Sequence, residues 1–317
     1  MLNSIIHGDC LAVMATMPSN TIDTIITDPP YGIRFRGNKW DYDIPSIHCF
    51  EEMYRVAKPG AFLLCFGGSR TFHRMTVHIE DAGWKIKDTM MWIYGSGMPK
   101  GLDIGKEMNQ IFTPNLSNPK DPKQVLGQKW QGWRTALKPA FEPIIIAMKP
   151  IEHTYVFNAL QHGVAGFNID QSRLDTQSRS FHCQSKYANS VVFGKSMRPL
   201  YFDGSRGRYP SNVVMDENVS EIVEGQVKGA SRFFYCMKAT SEERIAGNNH
   251  HPTVKPLKLM VYLCTLTKTP FGGVVLDPFG GSGTTAVAAI EAKRPYILVE
   301  KELEYVRIAR GRVEGCK

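Results

Sequence analysis

Short apolar runs, rich in β-branched residues and each stopped by a carboxylate, a glycine or a proline, recur along this chain with helix-period segments between them. Ser4-Ile5-Ile6-His7-Gly8-Asp9-Cys10 reads as a strand that ends on Asp9. Leu11, Val13, Met14 and Met17 then give a brief helix, which Pro18 stops. Thr24-Ile25-Ile26-Thr27 is the next strand, so the chain opens β-α-β. Helical spacing returns over 50–57 and closes at Lys58-Pro59-Gly60. Ala61 to Phe66 is a buried strand, Thr71 to Ala82 a helix stopped at Gly83, and Lys85 to Tyr94 another strand. Glu142 to Pro150 is a further strand with a clean stop. Strands that are apolar without alternation are buried on both faces, as in parallel sheets covered by helices. The repeated pattern therefore predicts an α/β fold with a doubly wound, mostly parallel sheet.

The late part of the chain repeats this grammar with one addition. His251-Pro252-Thr253-Val254-Lys255-Pro256 leads into a helix over 257–266. Gly273-Val274-Val275-Leu276-Asp277 is a strand, and Pro278-Phe279-Gly280-Gly281-Ser282-Gly283-Thr284-Thr285 runs from it into an alanine-rich helix. Strand, glycine loop and helix form the first turn of a nucleotide-binding unit, where glycines let the backbone approach a ligand. The following strand, Tyr296 to Glu300, ends on a carboxylate 20 positions after Gly280, the spacing at which an acid grips ribose hydroxyls. In an unpermuted dinucleotide fold the glycine loop comes first. Here the sheet closes if the late βαβ unit supplies its first two strands and the amino terminus the third. Asp9, the 277–285 loop and Glu300 then line one crevice, with Asp28 at the adjacent strand end across the switch point. Asp9 has a second reading, as the cap of its own helix.

Asp28-Pro29-Pro30-Tyr31-Gly32 follows the second strand directly. The prolines forbid regular structure, so this is a stiff loop at the carboxyl end of a strand, where open α/β sheets bind ligands. Taken alone it reads first as a proline turn with an Asp cap. The loop beyond it carries Arg34, Arg36, Lys39 and Trp40 between glycines. It either meets phosphates and bases or is a solvated loop with a packed Trp.

Two stretches break the pattern. Over 95–138 only a short helix near 104–111 is expected; residues 111–140 carry a net +4 charge, with Trp130, Trp133 and Arg134 among them. Residues 161–235 are rich in Gly, Asn, Ser and Arg; between 170 and 210 the net charge is again +4, Arg173, Arg206 and Arg208 included, with aromatics interleaved. Basic plus aromatic is the composition of a surface that meets nucleic acid. An irregular insertion with a solvated basic face has it too. The formal charge of +8 over 317 residues points the same way without deciding. Seven scattered cysteines without a C-x-x-C pair argue against a disulfide framework and a zinc finger. His250-His251 and His182-Cys183 have no matching second half, so no metal is expected. No signal-peptide pattern and no membrane-length apolar run is evident, so a cytoplasmic location is expected.

Asp28-Pro29-Pro30-Tyr31 together with Asp277-Pro278-Phe279-Gly280-Gly281-Ser282-Gly283 resembles the DNA amino-methyltransferases, which modify adenine N6 or cytosine N4. The order, catalytic loop before cofactor loop, resembles their β group. The likeness covers residues 4–158 and 235–313; 161–235 matches only by position, as a target recognition region. The resemblance implies a circularly permuted, seven-stranded, Rossmann-like methyltransferase sheet. It divides the chain into a catalytic domain, 1–160 with 236–317, and a recognition insertion, 161–235. It implies S-adenosylmethionine as cofactor and double-stranded DNA as partner, and leaves a homodimer and a cognate restriction enzyme open. Carried over, Asp28, Pro29, Pro30 and Tyr31 hold the target amine. Asp9 and Cys10 lie at the cofactor's adenine, Glu300 at its ribose, and the loop from Asp277 to Thr284 at its methionine portion. Thr253 and Lys255 fall near the methionine carboxylate. Cytosine-N4 members commonly carry Ser where this chain has Asp28, which favours adenine. Gly281 departs from some relatives, at a position where only small size matters. A nicotinamide oxidoreductase would need G-x-G-x-x-G, which Gly280-Gly281-Ser282-Gly283 does not supply. A DNA-binding protein without catalysis is opposed by the intact acidic and glycine positions.

Overall fold

The computed structural model describes residues 2–34, 37–95, 97, 99, 101–112, 122–174, 207–228, 235–237 and 254–316. The chain forms two compact units, one of Met1–Ile93 with Glu142–Lys317 and the other of Tyr94–Phe141.

The large unit is organised on one sheet. Its strands are β1 (Ser4–His7), β2 (Ile22–Thr27), β3 (Ala57–Phe66), β4 (Lys85–Ile93), β5 (Phe141–Met148), β6 (Val213–Asp216), β7 (Tyr235–Met237), β8 (Val275–Asp277) and β9 (Tyr296–Glu300). They lie in the order β1-β9-β8-β2-β3-β5-β4-β6-β7. The late strands β8 and β9 pair in parallel, and β1 adds in parallel beyond them, Ser4 opposite Ile297. On the other side β2 pairs with β8, Thr24 opposite Val275. The permuted closure read from the sequence is therefore the observed one, with the switch point between β8 and β2. Strand β5 runs antiparallel to β3, so its amino-terminal end lies at the carboxyl edge of the parallel strands.

The sheet has nine strands among the described residues where seven were expected. The extra two, β6 and β7, come from 213–237 and continue the sheet in parallel from β4. Part of the segment assigned to an irregular insertion is thus regular structure. The run Val213-Val214-Met215 is too short to stand out from a Gly- and Ser-rich background, yet Val214 and Met215 are buried. Residues 175–206 lie outside the described residues.

Adjacent side chains along each strand go to opposite faces. Ile26, Leu64, Ile144 and Leu298 pack under α8 (Leu257–Leu266), α9 (Thr284–Glu291) and α10 (Leu303–Glu314). Ile25, Leu63, Ile145, Leu276 and Val299 pack under α1 (Cys10–Ala15), α2 (Ile47–Val56) and α3 (Phe72–Asp81). Each such Ile or Leu, buried from water, contributes about 1.5–3 kcal/mol before entropy is counted. The helices α6 (Tyr155–His162) and α7 (Glu217–Gln226) complete this unit. The second unit is built on α4 (Ile104–Phe112) and α5 (Pro122–Lys129). No helix among the described residues is long and apolar enough to cross a membrane.

Candidate active site

Asp28 leaves the carboxyl end of β2 and meets two donors. The Tyr31 hydroxyl lies 2.7 Å from its Oδ1, and Lys255 Nζ donates to its Oδ2 at 2.6 Å. A third acid completes the cluster: Glu142 Oε2 is 3.1 Å from the Tyr31 hydroxyl and 3.2 Å from Lys255 Nζ. Two carboxylates thus share one ammonium and one phenol proton. Lys255 is 8% exposed, and its Nζ lies over the Tyr31 and Phe66 rings, 5.4 and 5.0 Å from their centroids. Burial alone would depress this ammonium, but Asp28 and Glu142 outweigh it and hold Lys255 above its ordinary value. Burial, with Asp28 and Glu142 alongside, pushes the Tyr31 phenol well up, so it keeps its proton.

The loop that presents these groups is pinned from below. Buried Asp41 accepts through Oδ1 from the Tyr31 and Gly32 amides at 2.7 and 3.0 Å. Pro29 is buried and Pro30 half-buried. Gly68 leaves the Tyr31 ring room, since a Cβ there would come within 3.2 Å of it.

Across the switch point, Asp277 ends β8. Thr27 donates to its Oδ1 at 2.7 Å, Thr285 to its Oδ2 at 2.5 Å, and the Phe279 amide to Oδ1 at 3.1 Å. Asp277 therefore ties β2, the glycine loop and α9 together. Burial pushes its carboxyl up to about 6, against the pull of these three donors. The loop is tightly packed: a Cβ on Gly280 would clash with Leu298, and one on Gly283 (φ +86) would meet Ala309 at 2.7 Å. Arg312 donates to the Ser282 carbonyl and hydroxyl and to the Thr284 hydroxyl. Ser282 and Thr284 are thereby buried anchors of the loop, and Pro278 opens its turn.

Glu300 ends β9 beside this loop. Its Oε2 accepts from the Gly281 amide and its Oε1 from the Glu302 amide, both at 2.7 Å. Burial raises the Glu300 carboxyl, with those two amides opposing. One lone pair on each oxygen is left for a hydroxyl. Asp9 ends β1 and caps α1, Oδ1 accepting from Leu11 at 3.0 Å, while Oδ2 lies 3.8 Å from Lys301 Nζ. The capping reading holds for one oxygen and the other faces outward. Cys10 Sγ contacts Cys49 Sγ at 3.8 Å.

The structure thus brings Asp9, Glu300 and the glycine loop to adjacent strand ends, with Asp28 to Tyr31 on the next. Lys255 contacts Asp28 and Glu142, and Thr253 is outside the described residues. Sequence reasoning missed Glu142. It looked for acids at strand ends, whereas Glu142 sits at the start of the antiparallel β5. Of the basic positions, Arg34 stacks over Tyr42, Lys39 is exposed and Trp40 half-buried. Arg173 pairs with Asp170, and Arg208 bridges to Leu174. In the second unit Arg134 pairs with Asp103, and Trp133 is 61% exposed, edge-on to Trp130. Arg36 and Arg206 lie outside the described residues. No metal-ligating cluster occurs among the described residues.

A carboxylate on a proline-stiffened loop, one strand from a glycine loop and two strands from a strand-end acid, suits transfer of a small group to an amine. The DNA methylase profile matches residues 22–311, from the strand before Asp28 into the last helix. The chain belongs to this N6/N4 DNA methylase family. It is 26% identical to the type II methyltransferase M.HindIII of Haemophilus influenzae, over 99% of this chain and 96% of that protein. It is 24% identical to the DNA adenine methyltransferase YhdJ of Escherichia coli, over 98% of this chain and 82% of the relative. The cytosine-N4-specific PvuII DNA methyltransferase shares the fold, with a TM-score of 0.56 at 15% identity over 98% of this chain and 85% of that one.

Proposed function

We propose that the protein transfers a methyl group from S-adenosylmethionine to the exocyclic N6 of an adenine flipped out of double-stranded DNA, at a sequence read by its basic segments, 161–235 among them. The observation that carries this reading is the position of Asp28, one strand from the glycine loop and fixed to it through Thr27 and Asp277. The crevice fits the cofactor. Asp9 and Glu300 end adjacent strands with acceptor capacity to spare, and Gly283 gives α9 no side-chain cap, leaving an electropositive end for a carboxylate. When bound, S-adenosylmethionine supplies an electrophilic methyl on a sulfonium.

An adenine amine is a poor nucleophile because its lone pair is delocalised into the ring. Asp28 and the Pro29 carbonyl each accept one amine hydrogen, favouring a pyramidal nitrogen whose lone pair faces the methyl. The prolines fix these acceptors, and Tyr31 offers a face to the unstacked base. Orientation supplies most of the rate. Asp at position 28 and the adenine activity named for YhdJ favour adenine over cytosine. The test is methyl transfer from labelled cofactor to duplex DNA, followed by nucleoside analysis. N6-methyladenine is expected, and Asp28→Ala should lower the rate by about 10²–10³-fold or more. N4-methylcytosine as sole product would sink the base assignment, and a normally active Asp28→Ala protein the catalytic one.

A further inference from the structure

Glu142 has no part in the chemistry above, yet it touches both groups that hold Asp28. Lys255 Nζ reaches Asp28 at 2.6 Å and Glu142 at 3.2 Å; the Tyr31 hydroxyl reaches them at 2.7 and 3.1 Å. As the chain stands, each Asp28 oxygen is engaged by one of these donors. Each oxygen keeps a second lone pair, but an ammonium and a phenol proton already draw on its charge and fix its direction, so it accepts less strongly from a neutral amine. Asp28, Glu142 and Tyr31 are the polar contacts of Lys255 among the described residues, so Glu142 is the other charge to which it can turn. Little movement is needed, since both donors are already at Glu142 Oε2.

We infer that Glu142 is a positioning residue that takes over Lys255 and the Tyr31 hydroxyl as the target amine engages Asp28, freeing Asp28 to accept its one amine hydrogen. The inference rests on the methyl transfer proposed above. Glu142 acts through Lys255 and Tyr31 and touches neither reactant. Its carboxylate must be charged to compete with Asp28, and its shape alone does not suffice.

The experiment is steady-state kinetics of methyl transfer to duplex DNA by the full chain, comparing wild type, Glu142→Gln and Glu142→Asp. Glu142→Gln keeps the shape and removes the charge. Its kcat is expected to fall roughly 10- to 100-fold, the scale of a misplaced reacting group. KM for DNA and for cofactor should stay within about twofold, and the unfolding midpoint should match wild type. Glu142→Asp keeps the charge and should recover most of the loss, as a merely structural role would not require. The inference is overturned if Glu142→Gln retains wild-type kcat, if its loss lies only in KM, or if Glu142→Asp is as slow as Glu142→Gln. A wild-type protein that methylates no DNA would be a different failure, removing the proposed reaction and this inference with it.

Discussion

Asp277 is 2% exposed and accepts from Thr27, Thr285 and Phe279, yet its carboxyl is pushed up to about 6 by burial, with Asp28 adding to the rise. In the unfolded chain an Asp titrates near about 3.9. The folded state therefore holds this proton more tightly than the unfolded one. The stability linked to it is fully present below about pH 4 and is lost as pH rises through about 6. Two pK units at about 1.4 kcal/mol each give about 3 kcal/mol across that window. Asp277→Asn stays neutral at every pH, and its amide can keep two of the three donors as partners while offering a hydrogen to a threonine hydroxyl. The variant is expected within about 1 kcal/mol of wild type near pH 4 and to gain about 3 kcal/mol relative to it near pH 8. Urea denaturation followed by far-ultraviolet circular dichroism, repeated across that range, reads the difference directly. Parallel stability curves for the two proteins would refute the account of a buried, costly charge beneath the glycine loop.

Two further predictions concern the supports of the site. Gly283→Ala meets Ala309 Cβ at 2.7 Å and Cα at 2.9 Å in a left-handed conformation, and should cost about 2–4 kcal/mol, measured as a lowered thermal midpoint. Asp41→Ala strands the Tyr31 and Gly32 amides, and should cost about 2–4 kcal/mol in urea denaturation and slow methyl transfer by loosening the loop; unchanged stability would contradict its anchoring role.

The strand and loop grammar was legible because both faces of the sheet are covered. Unbroken apolar runs marked β2, β3 and β9, and the bounds of α8 and β9 match the reading residue for residue. Asp28 and the glycine loop were legible because prolines and glycines punctuate strand ends in patterns that stand out, and the two patterns occur together. Other features left weaker traces. Helix α5 opens with Pro122 at its first position, a start signal hidden in a Pro-, Asn- and Lys-rich stretch. Helix α6 exposes Val156 and Leu160, so its apolar residues do not form the single buried stripe that periodicity seeks. Glu142 escaped because strand direction is a property of the sheet, and nothing local reports that β5 runs against its neighbours. Asp277 reads as a ligand-facing acid by position; it also accepts from Thr27, a partner that only the β2–β8 pairing reveals.

That pairing joins residues 250 positions apart through the Thr27–Asp277 bond, and Gly8 bonds to Glu300 across a comparable span. Contacts of such separation form late, after the intervening loop closure has been met. During synthesis, the tetrapeptide at 28–31 emerges long before the strand that flanks it, and one edge of β2 stays unpaired until Val275 has left the ribosome. The crevice is therefore the last part of the large unit to come into being. A chain interrupted between residue 31 and that strand carries the proline loop without its neighbour, and presents an open sheet edge to chaperones and proteases.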